Sequence, residues 1–321
     1  MTIEILIYRT LTILVALFVD RLFGDPPNQW HPVAWMGSLI YFLKSRAPQD
    51  KPDGVKFLYG GLISLVGLVL LGAVGVGLTR LMAFLPLAAR LLIGGLLLKA
   101  LFSFRMLLDI GREIQDTLES GSLGEARRLL SWHLVSRDTS TLDQTAVTAA
   151  AVESIAENAT DSIISPLFYY LLFGFPGILF YRYANTCDAI LGYRDPASEW
   201  LGKIPARLDD LLNLLPARLT AFLLIAAAAL PGFSFGNALA VWWRDRYKTT
   251  SPNAGHTMAA AAGALGIVLD KDGVYVLGEG GRPAEPADLG RGVRLARAAV
   301  YAGVILLVVV VAALKWRHYA G

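Results

Sequence analysis

The stretch Phe57–Thr79, FLYGGLISLVGLVLLGAVGVGLT, holds no charged residue. An apolar run of roughly 20 residues is long enough to cross the hydrocarbon core of a bilayer as a helix. Its recurring glycines are typical of membrane helices that pack closely against a neighbour. The stretch therefore predicts a spanning helix, and further apolar runs predict three more at about Ile3–Val19, Pro86–Leu108 and Val293–Leu314.

The composition of the whole chain agrees with a membrane protein. Hydrophobic residues make up 55% of the 321 residues and charged residues only 17%, far from the balance of an average soluble protein. The net charge of +3 comes without a basic tract, which argues against a nucleic-acid partner. The single cysteine, Cys187, excludes an internal disulfide. We therefore expect one all-α integral membrane catalytic domain, residues 1–321, with about four spanning helices.

Two more apolar runs, Ile163–Tyr181 and Leu219–Leu230, are interrupted or short. If both crossed the membrane, the polar segment between them would lie on the opposite face from the motifs on either side. If only one crossed, the later motifs would be separated from the earlier ones. We therefore interpret both runs as buried or re-entrant helices, which protein can cover at membrane depth.

The four remaining spans place most lysines and arginines on one side, which the positive-inside rule makes cytoplasmic. We expect a multi-pass protein of the inner cell membrane with its active site facing the cytoplasm. On that side, Arg112–Leu134 predicts an amphipathic helical pair, and the alternation of Ile267–Leu277 around Asp272-Gly273 predicts a short β-hairpin.

Three carboxylates, Glu153, Glu157 and Asp161, follow one another at four-residue spacing. Thr141-x-x-Gln144 has the pattern of a capping box and predicts the start of their helix. Like charges at this spacing repel, so we expect an arginine or a metal ion to compensate them. Mg²⁺ is commonly held by one or two carboxylates plus substrate phosphates. The pattern predicts a Mg²⁺-phosphate site in one line along the helix, although a solvated helix face explains the spacing equally well.

A polar cluster, Asn185, Thr186 and Asp188, interrupts an apolar stretch. A buried polar group that lacks a partner costs roughly 1–3 kcal/mol. The cluster therefore indicates either a ligand site or a structural hydrogen-bond network at a helix break.

A second polar stripe follows Pro205, which we expect to open a helix. Arg207 and Asp210 would be neighbours three residues apart, and Asp209 and Asn213 would be neighbours four residues apart. The stripe is narrow because leucines occupy the rest of the helix. It is interpreted as part of a site, with an ordinary surface pair as the alternative.

The segment Ser251-Pro252-Asn253-Ala254-Gly255 has a serine and a proline placed to begin a helix. Backbone N–H groups at such an end can hold a phosphate. Most capped helices bind nothing, so this prediction is weak when taken alone.

After the first apolar run come Asp20, Gly24-Asp25-Pro26 and His31-Pro32. The two aspartates at the membrane edge could face a site, and His31 could act as a base. A helix-ending turn explains the same residues nearly as well.

Taken in order, these motifs resemble adenosylcobinamide-phosphate synthase, the integral membrane enzyme of cobalamin biosynthesis. The resemblance runs from Asp20 to about Tyr275. The motifs that carry it are Asp20-x-x-x-Gly24-Asp25-Pro26 with His31-Pro32, Arg137-Asp138-Thr139, Glu153-x-x-x-Glu157-Asn158-x-x-Asp161, Asn185-Thr186-x-Asp188, Ala206-Arg207-x-Asp209-Asp210 with Pro216-Ala217-Arg218, and Ser251-Pro252-Asn253-Ala254-Gly255.

The resemblance implies a ligase that consumes ATP with Mg²⁺. It would join a corrin carboxylate of adenosylcobyric acid to aminopropanol phosphate or ethanolamine phosphate, in the lipid bilayer and beside other late cobalamin-assembly enzymes. A membrane transporter and a non-catalytic scaffold for corrinoid enzymes are the alternatives. Internal repeats, which transporters commonly show, are not visible.

The resemblance also implies roles for individual residues. The expected catalytic groups are Glu153, Glu157, Asp161, Asp188, Asp209 and Asp210, of which the first three would hold the metal. The expected substrate and phosphate ligands are Asp25, His31, Arg137, Asn158, Asn185, Thr186, Arg207, Arg218, Ser251, Asn253 and Gly255.

Overall fold

A computed structural model describes residues 2–48, 50–192, 199–271 and 273–320 of the chain. Within these ranges the fold is helical apart from one two-stranded hairpin, which confirms the predicted class. The chain divides into two compact units. Unit 1 comprises Met1–Ser103, Ser165–Asn213 and Val309–Gly321, and unit 2 comprises Phe104–Ile164 and Leu214–Val308. The single catalytic domain expected from the sequence stays a prediction.

Unit 1 is built around one long glycine-rich helix. Its helices are α1 (Ile3–Phe23), a 3-10 turn (Asn28–Trp30), α2 (Pro32–Lys44), α3 (Asp53–Ala83), α4 (Leu87–Lys99), α8 (Ser165–Phe173), α9 (Phe175–Leu191) and α10 (Glu199–Leu212).

The glycines of α3 lie where α9 and α10 approach it most closely. A Cβ added at Gly60 would collide with the Leu201 carbonyl, one at Gly67 would fall on the ring of Tyr183, and one at Gly75 would come within 2.5 Å of the Pro176 backbone. The close approach also lets the Tyr183 hydroxyl donate to the Ile63 carbonyl at 3.0 Å. The close packing predicted from the glycines is confirmed.

Unit 2 carries the remaining elements. They are α5 (Phe104–Glu119), α6 (Leu123–His133), α7 (Gln144–Ala159), a π-helical turn (Thr160–Ile164), α11 (Leu214–Ala227), α12 (Phe235–Asp245), α13 (Ala254–Leu265), β1 (Leu269–Lys271), β2 (Tyr275–Leu277) and the first part of α14 (Ala287–Ala320).

Two predicted elements of unit 2 are confirmed. Helices α5 and α6 form the expected amphipathic pair. Strands β1 and β2 pair antiparallel, with Leu269 opposite Leu277 and Lys271 opposite Tyr275. Gly273 takes a positive φ of 69° in the turn, and its predicted turn partner Asp272 lies outside the described residues.

Among the described residues, three helical stretches are long and apolar enough to cross a membrane: α3 (Asp53–Ala83), Leu87–Glu119, which comprises α4 and α5, and Ala287–His318 in α14. The predicted span at Ile3–Val19 is not among them. Every 18-residue window of α1 holds at least three of its four charged residues, Glu4, Arg9, Asp20 and Arg21. The Arg9 guanidinium donates to the Leu171 and Leu172 carbonyls at 2.9 and 2.7 Å.

The two ambiguous runs have different outcomes. Ile163–Tyr181 is divided between the π-helical turn, α8 and α9, with a break at Gly174, and it is not a candidate span in the described chain. Leu219–Leu230 lies largely in α11, which qualifies only together with α10, as a broken span or a re-entrant loop. Its re-entrant interpretation stays a prediction. Pro205 was wrongly expected to open a helix, because α10 begins at Glu199 and contains the proline.

Candidate functional site

Glu153, the first of the predicted carboxylates, lies in the buried part of helix α7. The helix begins at Gln144, and Asp143 is its N-cap, whose side chain accepts from the Ala146 N–H at 2.8 Å. The capping box expected from Thr141 is therefore wrong by two residues. Every residue from Val147 to Ala156 is buried, which rules out a solvated face over this part of the helix.

Glu153 is the most deeply placed of these carboxylates, with only 6% of its surface exposed. Its Oε1 atom is buried and accepts no hydrogen bond from the residues that the structure describes. Burial raises the pKa of Glu153 to about 7, although Arg137 and Lys271 act to lower it. An unsatisfied buried carboxylate oxygen is costly, and it marks a position that a cation or a donor could fill.

Tyr275 of strand β2 belongs to the same centre. Burial, with the nearby charges of Glu153 and Glu157, raises the pKa of its hydroxyl. The hydroxyl therefore stays protonated at neutral pH and remains a hydrogen-bond donor. Lys271 and Tyr275 face each other across the hairpin, so the hairpin delivers both groups to Glu153.

The loop before α7 holds Arg137 near this centre. Asp138 accepts from the Ser140 N–H at 2.8 Å and from its hydroxyl at 3.0 Å. The Thr139 hydroxyl donates to the Arg127 carbonyl of α6 at 2.9 Å. These bonds fix the turn, and Arg137 lies close enough to Glu153 to affect its ionisation.

The line of carboxylates does not continue as one α-helix. Helix α7 ends at Ala159, and Asp161 lies in the π-helical turn. Since a π-turn changes the register of the following residues, the predicted straight line from Glu153 to Asp161 is wrong. Glu157 and Asp161 are half-buried. Asn158 makes two local bonds, donating to the Ser154 carbonyl at 2.9 Å and accepting from Ser162 at 3.0 Å.

No three His, Cys, Asp or Glu side chains come together as a metal-ligand set in the part of the chain that the structure describes. A Mg²⁺ ion at Glu153 would therefore take most of its ligands from substrate phosphates and water, as Mg²⁺ commonly does.

In unit 1, Asp209 is the centre of a satisfied network. The Asn185 amide donates to its Oδ1 at 3.2 Å, and the Asn213 amide donates to its Oδ2 at 3.0 Å. Asn213 in turn accepts from Ser165 at 2.6 Å and from Tyr181 at 3.0 Å. The alternative of a structural network is therefore realised for Asn185, although α9 runs through this position without the expected break.

The other predicted residues of this region differ in their burial. The Thr186 hydroxyl donates to the Arg182 carbonyl one turn earlier, at 2.6 Å. Asp188 and Asp210 are half-buried, and Arg207 is exposed.

The sequence prediction missed Lys99, the last residue of α4. It is 3% exposed and pairs with Asp20 at 3.1 Å and, more closely, with Asp25. Burial lowers the pKa of His31, and Asp25 opposes the shift. A lone lysine inside a predicted span was the available signal, because ionisable groups at membrane depth are costly and seek partners.

The helix start near Ser251 differs from the prediction. Helix α13 begins at Ala254, and the Ser251 hydroxyl accepts from the N–H groups of Asn253 and Ala254 at 3.2 and 3.4 Å. The Gly255 N–H donates to the Thr249 hydroxyl at 3.0 Å. The donors expected to hold a phosphate are thus already used, and a phosphate there would have to displace two side-chain oxygens.

Close packing explains why position 255 is a glycine, since an added Cβ would meet the Arg246 carbonyl at 2.5 Å. Arg218 donates to the Asn253 side chain at 3.1 Å. In unit 2 the structure therefore joins Arg218 to Asn253 by a hydrogen bond and places Arg137 near enough to Glu153 to lower its pKa. In unit 1 it joins Asp25 to Lys99 and Asn185 to Asp209.

The model of one protein family, described as CobD/Cbib protein, matches residues 13–296. The chain belongs to this family. It is 41% identical over 270 residues to the probable cobalamin biosynthesis protein CobD of Methanothermobacter thermautotrophicus, covering 83% of this chain and 86% of the relative. It is also 41% identical over 276 residues to cobalamin biosynthesis protein CobD of Dehalococcoides mccartyi, covering 86% and 89%.

A third relative, the probable cobalamin biosynthesis protein CobD of Methanocaldococcus jannaschii, is 36% identical over 297 residues, which cover 92% of this chain and 95% of the relative. No solved structure matches the chain. Family membership and the apolar helices make this a membrane protein of cobalamin biosynthesis.

Proposed function

We propose that this member of the CobD/Cbib family is an ATP-dependent amide ligase, an adenosylcobinamide-phosphate synthase. It would join adenosylcobyric acid to aminopropanol phosphate or ethanolamine phosphate. The observation that carries the proposal is the Glu153 centre, which lies inside the region that matches the family. There a buried carboxylate oxygen accepts no hydrogen bond from the described residues, and Arg137, Lys271 and Tyr275 lie around it.

The residues of this centre fit a Mg²⁺-nucleotide. Oxygen is the ligand that Mg²⁺ prefers, and Glu153 Oε1 has no hydrogen bond to give up among the described residues. Arg137 and Lys271 are suited to phosphate oxygens. When bound, Mg²⁺ would neutralise charge on the transferred phosphoryl group.

Amide formation from a carboxylate requires activation, because a carboxylate is a poor electrophile. In the proposed reaction a carboxylate oxygen of the corrin side chain bonds to the γ-phosphorus of ATP as the bond to ADP breaks. The amine nitrogen then bonds to the acyl carbon, phosphate leaves with its oxygen, and the nitrogen loses a proton. The contribution of Arg137, Lys271 and Tyr275 is to position and stabilise phosphoryl charge.

The test is a reconstituted reaction. The protein purified in detergent is given adenosylcobyric acid, aminopropanol phosphate, Mg²⁺ and ATP, and the corrinoid is measured by mass spectrometry. We expect a mass gain equal to the amine substrate minus water, with one ADP formed per amide. A corrinoid of unchanged mass, while a known synthase works under the same conditions, would overturn the proposal.

We also propose that the centre faces the cytoplasm from the inner cell membrane. Cysteines placed near Gly124 and Gly280 should both react with a membrane-impermeant thiol reagent from the cytoplasmic side only. The native Cys187 is fully buried, so it should give little background. Labelling of either position from outside intact cells would contradict this orientation.

A further inference from the structure

Unit 2 contains a cavity of about 400 Å³ that the proposed reaction does not use. This volume lies in the range of small-molecule sites. The cavity lies beside α12, the end of α13 and the glycine-rich loop after β2. The polar and backbone groups that line it include Asn237, Arg244, Gly278, Glu279, Gly281 and Arg282.

On one side of the cavity, Arg244 is held in place by a buried carboxylate. Asp245 is 0% exposed, and it accepts from Arg244 Nε and Nη2 at 2.8 Å each. It also pairs with Lys248 at 2.8 Å and accepts from the Gly278 N–H at 2.8 Å. Burial alone would raise the pKa of Asp245, but the bonds from Arg244 and Lys248 hold it far below its ordinary value. Arg244 and Lys248 therefore carry one more charge than Asp245, and Lys248 also pairs with the exposed Glu279 carboxylate at 3.8 Å.

On the other side, Arg282 is fixed in the same way. Asp288 is 1% exposed and accepts from Arg282 Nη1 and Nη2 at 2.7 and 2.6 Å. Arg291 pairs with the same carboxylate at 2.7 Å. This second cluster also carries one surplus positive charge, so a cation is fixed on each side of the cavity.

Both arginines keep donors for a ligand. Arg244 and Arg282 are 48% and 42% exposed. Arg244 Nη2 also donates to the Glu279 carbonyl at 3.3 Å, and within the described chain Arg244 Nη1 and Arg282 Nε donate no hydrogen bond. The carboxylate of Glu279 is 75% exposed, so solvent screens its charge.

The loop between the arginines leaves room for an anion. Gly278 and Gly280 take positive φ values of 73° and 88°. A side chain at Gly278 would collide with the Ile267 carbonyl. The loop side of the cavity is therefore mainly backbone, and the charged residues that line the cavity are Arg244, Arg282 and the exposed Glu279.

We propose that this cavity binds the phosphate group of a phosphate-bearing small molecule through Arg244 and Arg282. A planar guanidinium fixed by a buried carboxylate loses little further freedom when its remaining N–H groups donate to phosphate oxygens. The inference does not depend on the ligase reaction, because it concerns binding through Arg244 and Arg282, to which that reaction assigns no role.

The test uses radiolabelled pyrophosphate, which carries phosphate groups and nothing else, in equilibrium dialysis against the full-length protein in detergent. EDTA is present, so that a metal-dependent site at Glu153 does not contribute. We expect saturable binding to the wild type that Arg244→Lys and Arg282→Lys each weaken by about tenfold or more, because a lysine keeps the charge but loses the fork.

Arg246→Lys is the matched control, since Arg246 lies on the same segment but stacks over Trp243 at 4.0 Å and does not line the cavity. It should bind pyrophosphate as the wild type does. Lack of binding to the wild type, or equal weakening by all three substitutions, would overturn the proposal. Thermal unfolding of each variant shows whether the fold is kept, and Asn237→Leu, which narrows the cavity without touching an ion pair, should also weaken binding.

Competition then identifies the source of the phosphate. ATP and aminopropanol phosphate are added separately, and vesicles of phosphatidylcholine with or without phosphatidylglycerol test a lipid headgroup. Displacement by one of them supports the proposal and names the ligand class. If pyrophosphate binds here while the ligase assay fails, only the proposed reaction is lost.

Discussion

Each unit of this protein buries a carboxylate among polar partners, but the two centres differ in completeness. In unit 1 both oxygens of Asp209 accept an amide hydrogen, from Asn185 and Asn213. In unit 2 Glu153 Oε1 has no hydrogen bond from the described residues. A satisfied network holds a fold together, whereas an unsatisfied one leaves room for a ligand. The contrast separates positions that we expect to govern stability from positions that we expect to govern reaction.

The largest effect on stability should come from the ionic cluster of unit 1. Lys99→Met removes the lysine shared by Asp20 and Asp25. Breaking a buried ion pair costs about 3–5 kcal/mol, so the variant should unfold at a much lower temperature in detergent. Lys203→Met is the control, since Lys203 is 39% exposed and pairs with Glu199 on the surface. Equal unfolding temperatures for the two variants would show that the cluster is not structural.

Lys99→Met should lower the unfolding temperature, whereas Glu153→Gln should lower turnover and leave the protein folded, because glutamine keeps the shape of the side chain and removes its charge. If Glu153 holds the Mg²⁺-phosphate, turnover in the ligase assay should fall by about 10³, equivalent to about 4 kcal/mol. Glu113→Gln, on the exposed face of α5, should leave turnover unchanged. A folded Glu153→Gln protein with normal turnover would move the reaction away from this centre.

The pH dependence provides a third test of the same carboxylate. The folded pKa of Glu153, about 7, lies above the ordinary value of 4.5. The folded state therefore holds this proton more tightly than the unfolded state. Stability falls as pH rises from 4.5 through 7, by about 3 kcal/mol in total if this group alone is counted.

Glu153→Gln should therefore raise the unfolding temperature more at pH 8.5 than at pH 5.5. Wild-type turnover should increase with pH through about 7, as the carboxylate becomes available for the metal. A stabilisation that is the same at both pH values would mean that burial does not raise the pKa of Glu153.

A smaller effect is expected at Glu157, which is half-buried and closer to solvent than Glu153. Glu157→Gln should lower turnover by about 10² and relieve repulsion with Glu153, so that the protein stays folded. Raising the Mg²⁺ concentration should recover part of the lost rate if the defect is in metal affinity. Near-normal turnover at every Mg²⁺ concentration would return Glu157 to the role of a solvated helix residue.

The sequence predicted what depends on periodicity and turn chemistry. The spans at α3 and α14, the pair α5–α6 and the hairpin all follow from apolar run length or from alternation. The predicted span at Ile3–Val19 is not among the candidate spans of the described chain, because α1 carries the charges of Glu4, Arg9, Asp20 and Arg21. Pro205 was assigned to a helix start because proline is common there, but α10 tolerates it in its interior.

The partners of each site residue could not be predicted, because they come from distant parts of the chain. Lys99 is more than 70 residues from Asp25, and nothing local to either residue indicates the pairing. The Thr249 hydroxyl accepts a hydrogen bond from the Gly255 N–H. The serine and proline pattern that predicted a helix start gives no indication of this contact. The π-helical turn at Thr160–Ile164 likewise has no sequence signal that we recognise, so the altered register at Asp161 was unforeseen.

The glycines of α3 limit which substitutions this helix can accept during evolution. Gly60, Gly67 and Gly75 each touch a backbone or a ring that even one methyl group would strike, while Leu58, Leu65 and Val69 on the same helix are exposed. Random substitutions should therefore be tolerated to very different degrees at different positions of this one helix. The outward leucines and valines can drift among apolar residues at almost no cost. Any substitution at the three inward glycines adds a Cβ that has no room. In a library of single-codon variants, substitutions at these three positions should therefore be depleted first.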